Sequence, residues 1–172
     1  MVNITENINW FFLGYFVFNG ILTTKHKSKQ KIAYITIHEK YTSISNKFKS
    51  IINNLTLCEM LTYKHIYKFT DEKNINILEL IYNSNGKYIP IELFKNNKQD
   101  IKNFLLGCYL SNKFIQYSAV PFNKYNFSTI YFNVAIGISK LYEILGYNTD
   151  IDIIYDGKYT TYEINNIYKF YI

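Results

Sequence analysis

Arginine is absent from this chain: all 19 basic residues are lysine. Recognition of a phosphate or a guanine edge must therefore do without the planar, two-pronged guanidinium. That leaves point-like ammonium groups and the amides and hydroxyls of Asn, Gln, Tyr and Thr. Cysteine is scarce too. Cys58 and Cys108 cannot build a disulfide framework, and His26, His38 and His65 offer no spacing for structural zinc. No apolar run is long enough to span a bilayer. The longest, Trp10 to Leu22, falls short of the ~20 residues needed. The residues before it carry Glu6 and no lysine, unlike a secretory leader. These absences point to a soluble, intracellular, non-secreted protein of a reducing compartment with no membrane partner. They do not separate nucleus, organelle, cytoplasm and virion.

The 172 residues, 48% of them hydrophobic, suffice for one folded domain with its own core. Tyrosine (18) and phenylalanine (13) are abundant, as are Ile, Asn and Lys. All are residues of A/T-rich codons, so a mitochondrial, viral or parasite genome accounts for them, and the tyrosines alone are no sign of binding. The net charge of +6 and pI near 9.1 fit a polyanionic partner or a solvated lysine-rich surface.

The chain is organised around WFFLGYFVFNG, Trp10 to Gly20, which returns as NFLLGCYLSNK, Asn103 to Lys113. Gly14 aligns with Gly107 and Asn19 with Asn112, both pairs 93 residues apart (107 − 14 and 112 − 19). A fixed spacing of that size suggests a duplicated half-domain. Gly14 and Phe18 share one helical face, as do Gly107 and Ser111. A mid-helix glycine costs about 1 kcal/mol against alanine, so these two are expected at a close helix crossing. Asn19 and Asn112 would then sit side by side at one edge of the interface.

Asn7 or Asn9 is the expected N-cap of the first helix, and Asn19-Gly20 its C-cap. Next comes a hairpin: a strand near Ile21 to Thr24, a turn from Lys25 to Lys31, and a strand from Ile32 to His38. Lys25, Lys27, Lys29 and Lys31 alternate across its tip. In extended chain they would share one side and line a phosphate groove, or simply solubilise an edge. Ser43 to Asn54 reads as an amphipathic helix. MLTYKHIYKF and INILELIY, separated by TDEKN, read as a second hairpin. Pro90 opens a short helical turn, and Lys95 to Lys98 links the repeats. Asp100 belongs to the first turn of the second motif helix. Lys113 to Ala119 and Thr129 to Ala135 read as strands, Ile136 to Leu145 as a helix ended by Gly146, and Asp156-Gly157 as a hairpin turn between Ile151 to Tyr155 and Tyr159 to Ile164.

The two motif segments resemble the paired signatures of LAGLIDADG homing endonucleases, which carry glycine third, an acid eighth and usually glycine ninth. FLGYFVFNG, Phe12 to Gly20, keeps both glycines; LLGCYLSNK, Leu105 to Lys113, keeps the first. KYIPIELFKNNKQDIKNFLLG, Lys87 to Gly107, is similar to the family's approach to its second motif. The stretch STIYFNVAIGISKLYEILGYNTDIDIIYDGKYTTYEI is similar to its strand, helix ending in LGY, and hairpin. The resemblance covers nearly the whole chain. It implies an α+β fold of two pseudo-symmetric αββαββ-type halves, packed through the paired motif helices with a saddle of antiparallel sheets. Within a single domain the repeats would run over about 8–94 and about 95–172.

In that family the eighth-position acids hold divalent metal at the scissile phosphates, where carboxylate charge is needed both to bind a hard cation and to support hydrolysis. Here both positions are asparagine. Asn19 and Asn112 read as helix C-caps or as weak neutral ligands, and Lys113 sets a cation where the ion would lie. Among other acids, Asp100 lies at the far end of its helix, and Glu39, Asp71 and Glu72 fall at strand ends or turns. The resemblance therefore implies a degenerate, double-stranded-DNA-binding protein with no cofactor, Mg²⁺ entering only if cleavage survives. One chain would suffice for the fold. Lys25, Lys27, Lys29, Lys31, Lys113 and Lys124 are the expected phosphate contacts, and Tyr34, Thr36 and Gln116 the expected groove-facing positions. The alternatives are an active metal-dependent endonuclease or nickase with a displaced acid, a maturase-like binder of structured RNA, and a structural or interaction protein that inherited the scaffold.

Overall fold

The structure is a computed structural model that describes residues 8–25, 28–38, 42–83, 86–112 and 125–169, without the side chains of 42, 83, 112 and 166–169. Its centre is α1 (Trp10–Asn19) crossing α4 (Lys98–Asn112). Every residue of α1 from Trp10 to Val17 is buried, as expected of a helix apolar on all sides. Asn9 caps it, its side chain accepting from the Phe12 amide at 3.0 Å. Asn97 does the same for α4, accepting from the Asp100 amide at 2.9 Å.

The crossing is tight at the two repeated glycines. A Cβ at Gly14 would lie 2.1 Å from the Phe104 carbonyl oxygen, and one at Gly107 would lie 2.1 Å from that of Phe11. The relation is two-fold: Phe11 and Phe104 are 93 residues apart (104 − 11), as are the glycines. Only a glycine Cα–H fits against a carbonyl at this range.

Each motif helix covers its own antiparallel sheet with the help of a second helix. In the first half, β1 (Gly20–Thr24), β2 (Lys31–His38), β3 (Thr56–Leu61) and β4 (Lys64–Phe69) assemble in the order β1-β2-β4-β3. The helix α2 (Thr42–Ile51) sends Phe48 edge-on against Phe12 (5.3 Å between ring centroids) and Tyr15 (5.1 Å). After α3 (Glu72–Glu79), a two-stranded ribbon of β5 (Tyr82–Asn83) and β6 (Gly86–Lys87) leads to Pro90 and a 3-10 turn, Ile91–Lys95. In the second half, β7 (Phe127–Thr129), β8 (Tyr147–Tyr155) and β9 (Thr160–Lys169) form the order β7-β9-β8 under α5 (Phe132–Ile144). Tyr109 of α4 stacks on Tyr125 at 3.9 Å, and Phe127 packs against Tyr142 of α5 at 6.1 Å. The result is an α+β fold with two sheets flanking one helix pair.

Three local expectations change. INILELIY is not a strand and does not pair with MLTYKHIYKF, which itself turns between Leu61 and Lys64 to join β3 and β4: Asp71 accepts from the amides of Lys73 and Asn74 and starts α3, which buries Ile75, Ile77 and Leu78. Thr129 to Ala135 is not a strand either, because α5 begins at Phe132. Val134, Ala135, Ile138, Leu141 and Tyr142 are buried at helical spacing, and Gly146, at φ +86°, ends the helix region. Finally, Gly20 is extended (φ −106°, ψ 152°), so α1 runs straight into β1 without a left-handed cap. The expected strand Lys113 to Ala119 lies outside the described residues. No described helix is long and apolar enough to cross a membrane. Both cysteines are free, Cys58 exposed and Cys108 buried, with burial pushing the Cys108 thiol up.

Candidate functional site

The C-terminal ends of α1 and α4 meet at the floor of a groove of about 760 Å³. Its floor and walls include Asn19, Gly20 and Ser111 from the helix ends, Lys87 below them, Thr36, His38 and Lys64 from the first sheet, and Ser128 and Thr129 from the second. The groove therefore lies where both halves of the chain converge. No carboxylate lines it among the described residues.

Asn19 does not cap its own helix. Its amide nitrogen donates to the Ser111 carbonyl of α4 at 2.6 Å, and because that partner can only accept, the nitrogen must face it. Ser111 in turn donates its hydroxyl to the Cys108 carbonyl at 2.7 Å. The helix ends are thus tied together by a neutral donor. An acid at Asn19 would set its charge against a carbonyl and against the negative end of α1. Asn19→Asp is accordingly expected to lower stability at pH 7 by about 1–2 kcal/mol, read as a fall in the urea midpoint. An unchanged midpoint would mean that the carboxylate turns away to solvent.

Lys87 supplies the positive charge on the floor. It is 5% exposed, and its ammonium donates to the carbonyls of Gly20 at 2.6 Å, Val17 at 2.7 Å and Phe16 at 3.5 Å. These are carbonyls left open where α1 ends. The rings of Phe16, Tyr82 and Tyr131 lie 5.7–5.9 Å from the same nitrogen. Burial pulls the Lys87 pKa down to about 8, so the group stays charged at neutral pH.

The sheets show which side chains look outward. Ala33, Ile35 and Ile37 of β2 enter the core, which leaves Tyr34, Thr36 and His38 on the open face. The Tyr15 hydroxyl donates to the Thr36 carbonyl at 3.3 Å, fixing β2 to α1. Directly opposite residues of an antiparallel pair share a face, and Tyr34 faces Lys68, Thr36 faces Ile66 and His38 faces Lys64. Lys64 and Lys68 are therefore exposed on the open face beside the groove. KHIYKF carries the signal for both: Lys64, Ile66 and Lys68 alternate with His65, Tyr67 and Phe69. Lys87 has no such signal, since its burial depends on a helix end some seventy residues upstream in sequence.

The hairpin-tip lysines lie differently from the extended alternation expected. Lys25 and Lys29 are exposed in a turn in which the Lys29 amide donates to the Lys25 carbonyl at 2.9 Å and Lys29 takes φ +51°. Lys31 begins β2 and forms an ion pair with Glu79 of α3. Lys27, Lys113, Gln116 and Lys124 lie outside the described residues, as does the side chain of Asn112, whose backbone closes α4. Phe18 is partly buried beside Phe127, 6.3 Å between centroids.

A divalent cation does not fit this donor set. No group of three His, Cys, Asp or Glu side chains among the described residues could hold a metal. The candidate substitute acids are committed elsewhere: Asp71 caps α3, and Asp100 accepts from Asn97 at the far end of α4. Glu72 lies in the first turn of α3, and Glu39 lies outside the described residues.

No protein-family model and no curated protein matches the sequence. Solved structures do. The homing endonuclease I-DmoI, in complex with DNA and Ca, superposes with a TM-score of 0.63 at 13% identity over 93% of this chain and 82% of that one. The homing endonuclease I-WcaI, bound to its DNA recognition sequence, gives 0.55 at 13% identity over 92% and 75%. The meganuclease I-SmaMI, bound to uncleavable DNA, gives 0.51 at 12% identity over 92% and 79%. Together with the glycine-locked crossing of α1 and α4 and the two flanking antiparallel sheets, these matches show that the chain has the fold of the LAGLIDADG homing endonucleases.

Proposed function

We propose that this protein binds double-stranded DNA along the groove at the motif-helix ends and does not cut it. The observation that carries this reading is the chemistry of the groove lining. Ammonium, imidazole, amide and hydroxyl groups surround it and no carboxylate does, among the described residues. Such a lining attracts a phosphodiester backbone and offers a divalent cation neutral oxygens but no negative charge. Both motif acid positions are asparagine, and Asn19 is engaged in joining the helices. DNA is the polyanion bound to I-DmoI, I-WcaI and I-SmaMI, so it is the partner to test first. Both motif helices come from one chain, so a single copy completes the groove.

Contacts from Lys25, Lys29, Lys64 and Lys68 would neutralise about four phosphates, giving a slope of roughly −3 to −4 in log K against log salt concentration. Fluorescence anisotropy with a long A/T-rich duplex between low and physiological salt measures it. Added Mg²⁺ or Mn²⁺ is expected to leave the duplex intact on a denaturing gel. No retention at low salt, or a metal-dependent nick, would overturn the proposal. Tighter retention of structured RNA than of duplex would replace DNA with RNA as the partner.

A further inference from the structure

The two sheets that flank the groove turn opposite charge outward. On the first, Lys64 and Lys68 stand on the open face with Glu59 as its acid, and Lys25 and Lys29 project at the nearby hairpin tip. On the second, Phe127, Ile151 and Ile164 point toward α5 and the core, leaving Ser128, Asp150, Asp152, Thr161 and Glu163 on the open face. Ser128 lines the same groove as Thr36 and Lys64, so both open faces border one cleft. Asp152 and Glu163 sit directly opposite each other across β8 and β9. Like charges so placed repel. Asn165 is set between them, its amide nitrogen 3.2 Å from Asp152 and 3.5 Å from Glu163, so a neutral donor stands where a lysine would have been stronger. No lysine shares this face among the described side chains.

A phosphate backbone laid along both sheets would gain at one and be repelled at the other. Resting on the reading proposed above, we infer that the duplex is gripped by the first-half sheet alone. The protein covers about one helical turn of DNA, on the β1-β2-β4-β3 side of the groove, instead of the two turns that paired half-sites occupy. The second sheet stays off the phosphates because of Asp152 and Glu163. Binding then has a polarity that the two-fold helix pair does not have.

Hydroxyl-radical footprinting of the full chain on a long duplex tests this. The wild type is expected to protect about one turn, roughly 10 bp, to one side of the groove centre. Lys64→Glu with Lys68→Glu should weaken binding by about a hundredfold or more at low salt while the melting temperature holds. Asp152→Lys with Glu163→Lys should lengthen the protected stretch toward two turns and steepen the salt slope by about 2. Should that reversal fail to fold, duplexes of about 12 and about 24 bp decide the matter with the wild type alone, because equal affinity per site is expected. Protection of two turns placed evenly about the centre, or a longer duplex bound a hundredfold tighter, overturns the one-sided grip and leaves DNA binding standing. Retention of no duplex at low salt overturns DNA binding itself, and the one-sided grip with it.

Discussion

Replacing Gly14 by alanine is expected to cost about 3 kcal/mol or more, a large share of the ~5–15 kcal/mol that holds a domain together. The added methyl would meet the Phe104 carbonyl oxygen at 2.1 Å, the Phe104 carbonyl carbon at 2.9 Å and the Cys108 amide nitrogen at 3.2 Å. These are backbone atoms of a buried helix, so no rotamer change relieves the contact, and α1 and α4 must separate. Gly107→Ala should cost a similar amount, since its methyl would meet the Phe11 carbonyl at 2.1 Å and the Tyr15 amide at 2.8 Å. The two costs should not add. Once one methyl has pushed the helices apart, the second finds part of its space already made, so the double variant should lose clearly less than the sum. Urea unfolding of the four proteins measures this. Losses under about 1 kcal/mol in the single variants would show that the helices cross with room to spare.

That crossing was legible before any coordinates, because a glycine repeated at a spacing of 93 residues inside two apolar segments has few uses besides close approach. The hairpins at Gly20–Thr24 with Lys31–His38, and at Tyr147–Tyr155 with Thr160–Lys169, were legible from their alternation and turn residues. Errors came where apolar runs carried both periods at once. INILELIY satisfies a strand and a helix alike, and the deciding fact is the carboxylate of Asp71 accepting from the Lys73 and Asn74 amides at the helix start. The stretch Thr129 to Ala135, expected as a strand, is ambiguous in the same way. Tertiary burial, not local preference, sets Val134, Ala135 and Ile138 on one face of α5.

The candidate site was legible only in outline. Position fixed Asn19 at the tip of α1, but not its direction. The sequence treats an asparagine before glycine as a cap, whereas the neighbouring helix offers it the Ser111 carbonyl, a partner 92 residues distant in sequence. Charge was harder to place. Lys25, Lys27, Lys29 and Lys31 form a conspicuous row in the sequence, yet Lys31 is neutralised by Glu79, while Lys64 and Lys68 reach the open sheet face through strand register alone. Lysine composition says nothing about which sheet a charge faces; pairing does.

Removing the buried ammonium should reveal how much of the groove floor depends on it. Lys87→Met is expected to lower stability at pH 7 by about 2 kcal/mol, because the carbonyls of Val17 and Gly20 lose a buried donor that a thioether cannot replace. The pH dependence separates this from a packing defect. Burial lowers the Lys87 pKa to about 8 in the folded protein, against an ordinary value near 10.5 in the unfolded chain. Between those values the unfolded state holds the extra proton, so the contribution of Lys87 to stability rises with pH, by about 2 kcal/mol from pH 8 to pH 10. From about pH 9 other buried groups act with the opposite sign. Desolvation holds the Cys108 thiol well up, the Tyr82 hydroxyl at about 12 and that of Tyr142 higher still, so the unfolded chain gives up these protons first and the fold loses stability as pH climbs. A wild-type maximum at about pH 9, whose rising limb disappears in Lys87→Met while its falling limb remains, is the expected result in urea melts. A rising limb of equal height in both proteins would place the titrating group elsewhere and leave the floor of the groove without its charge.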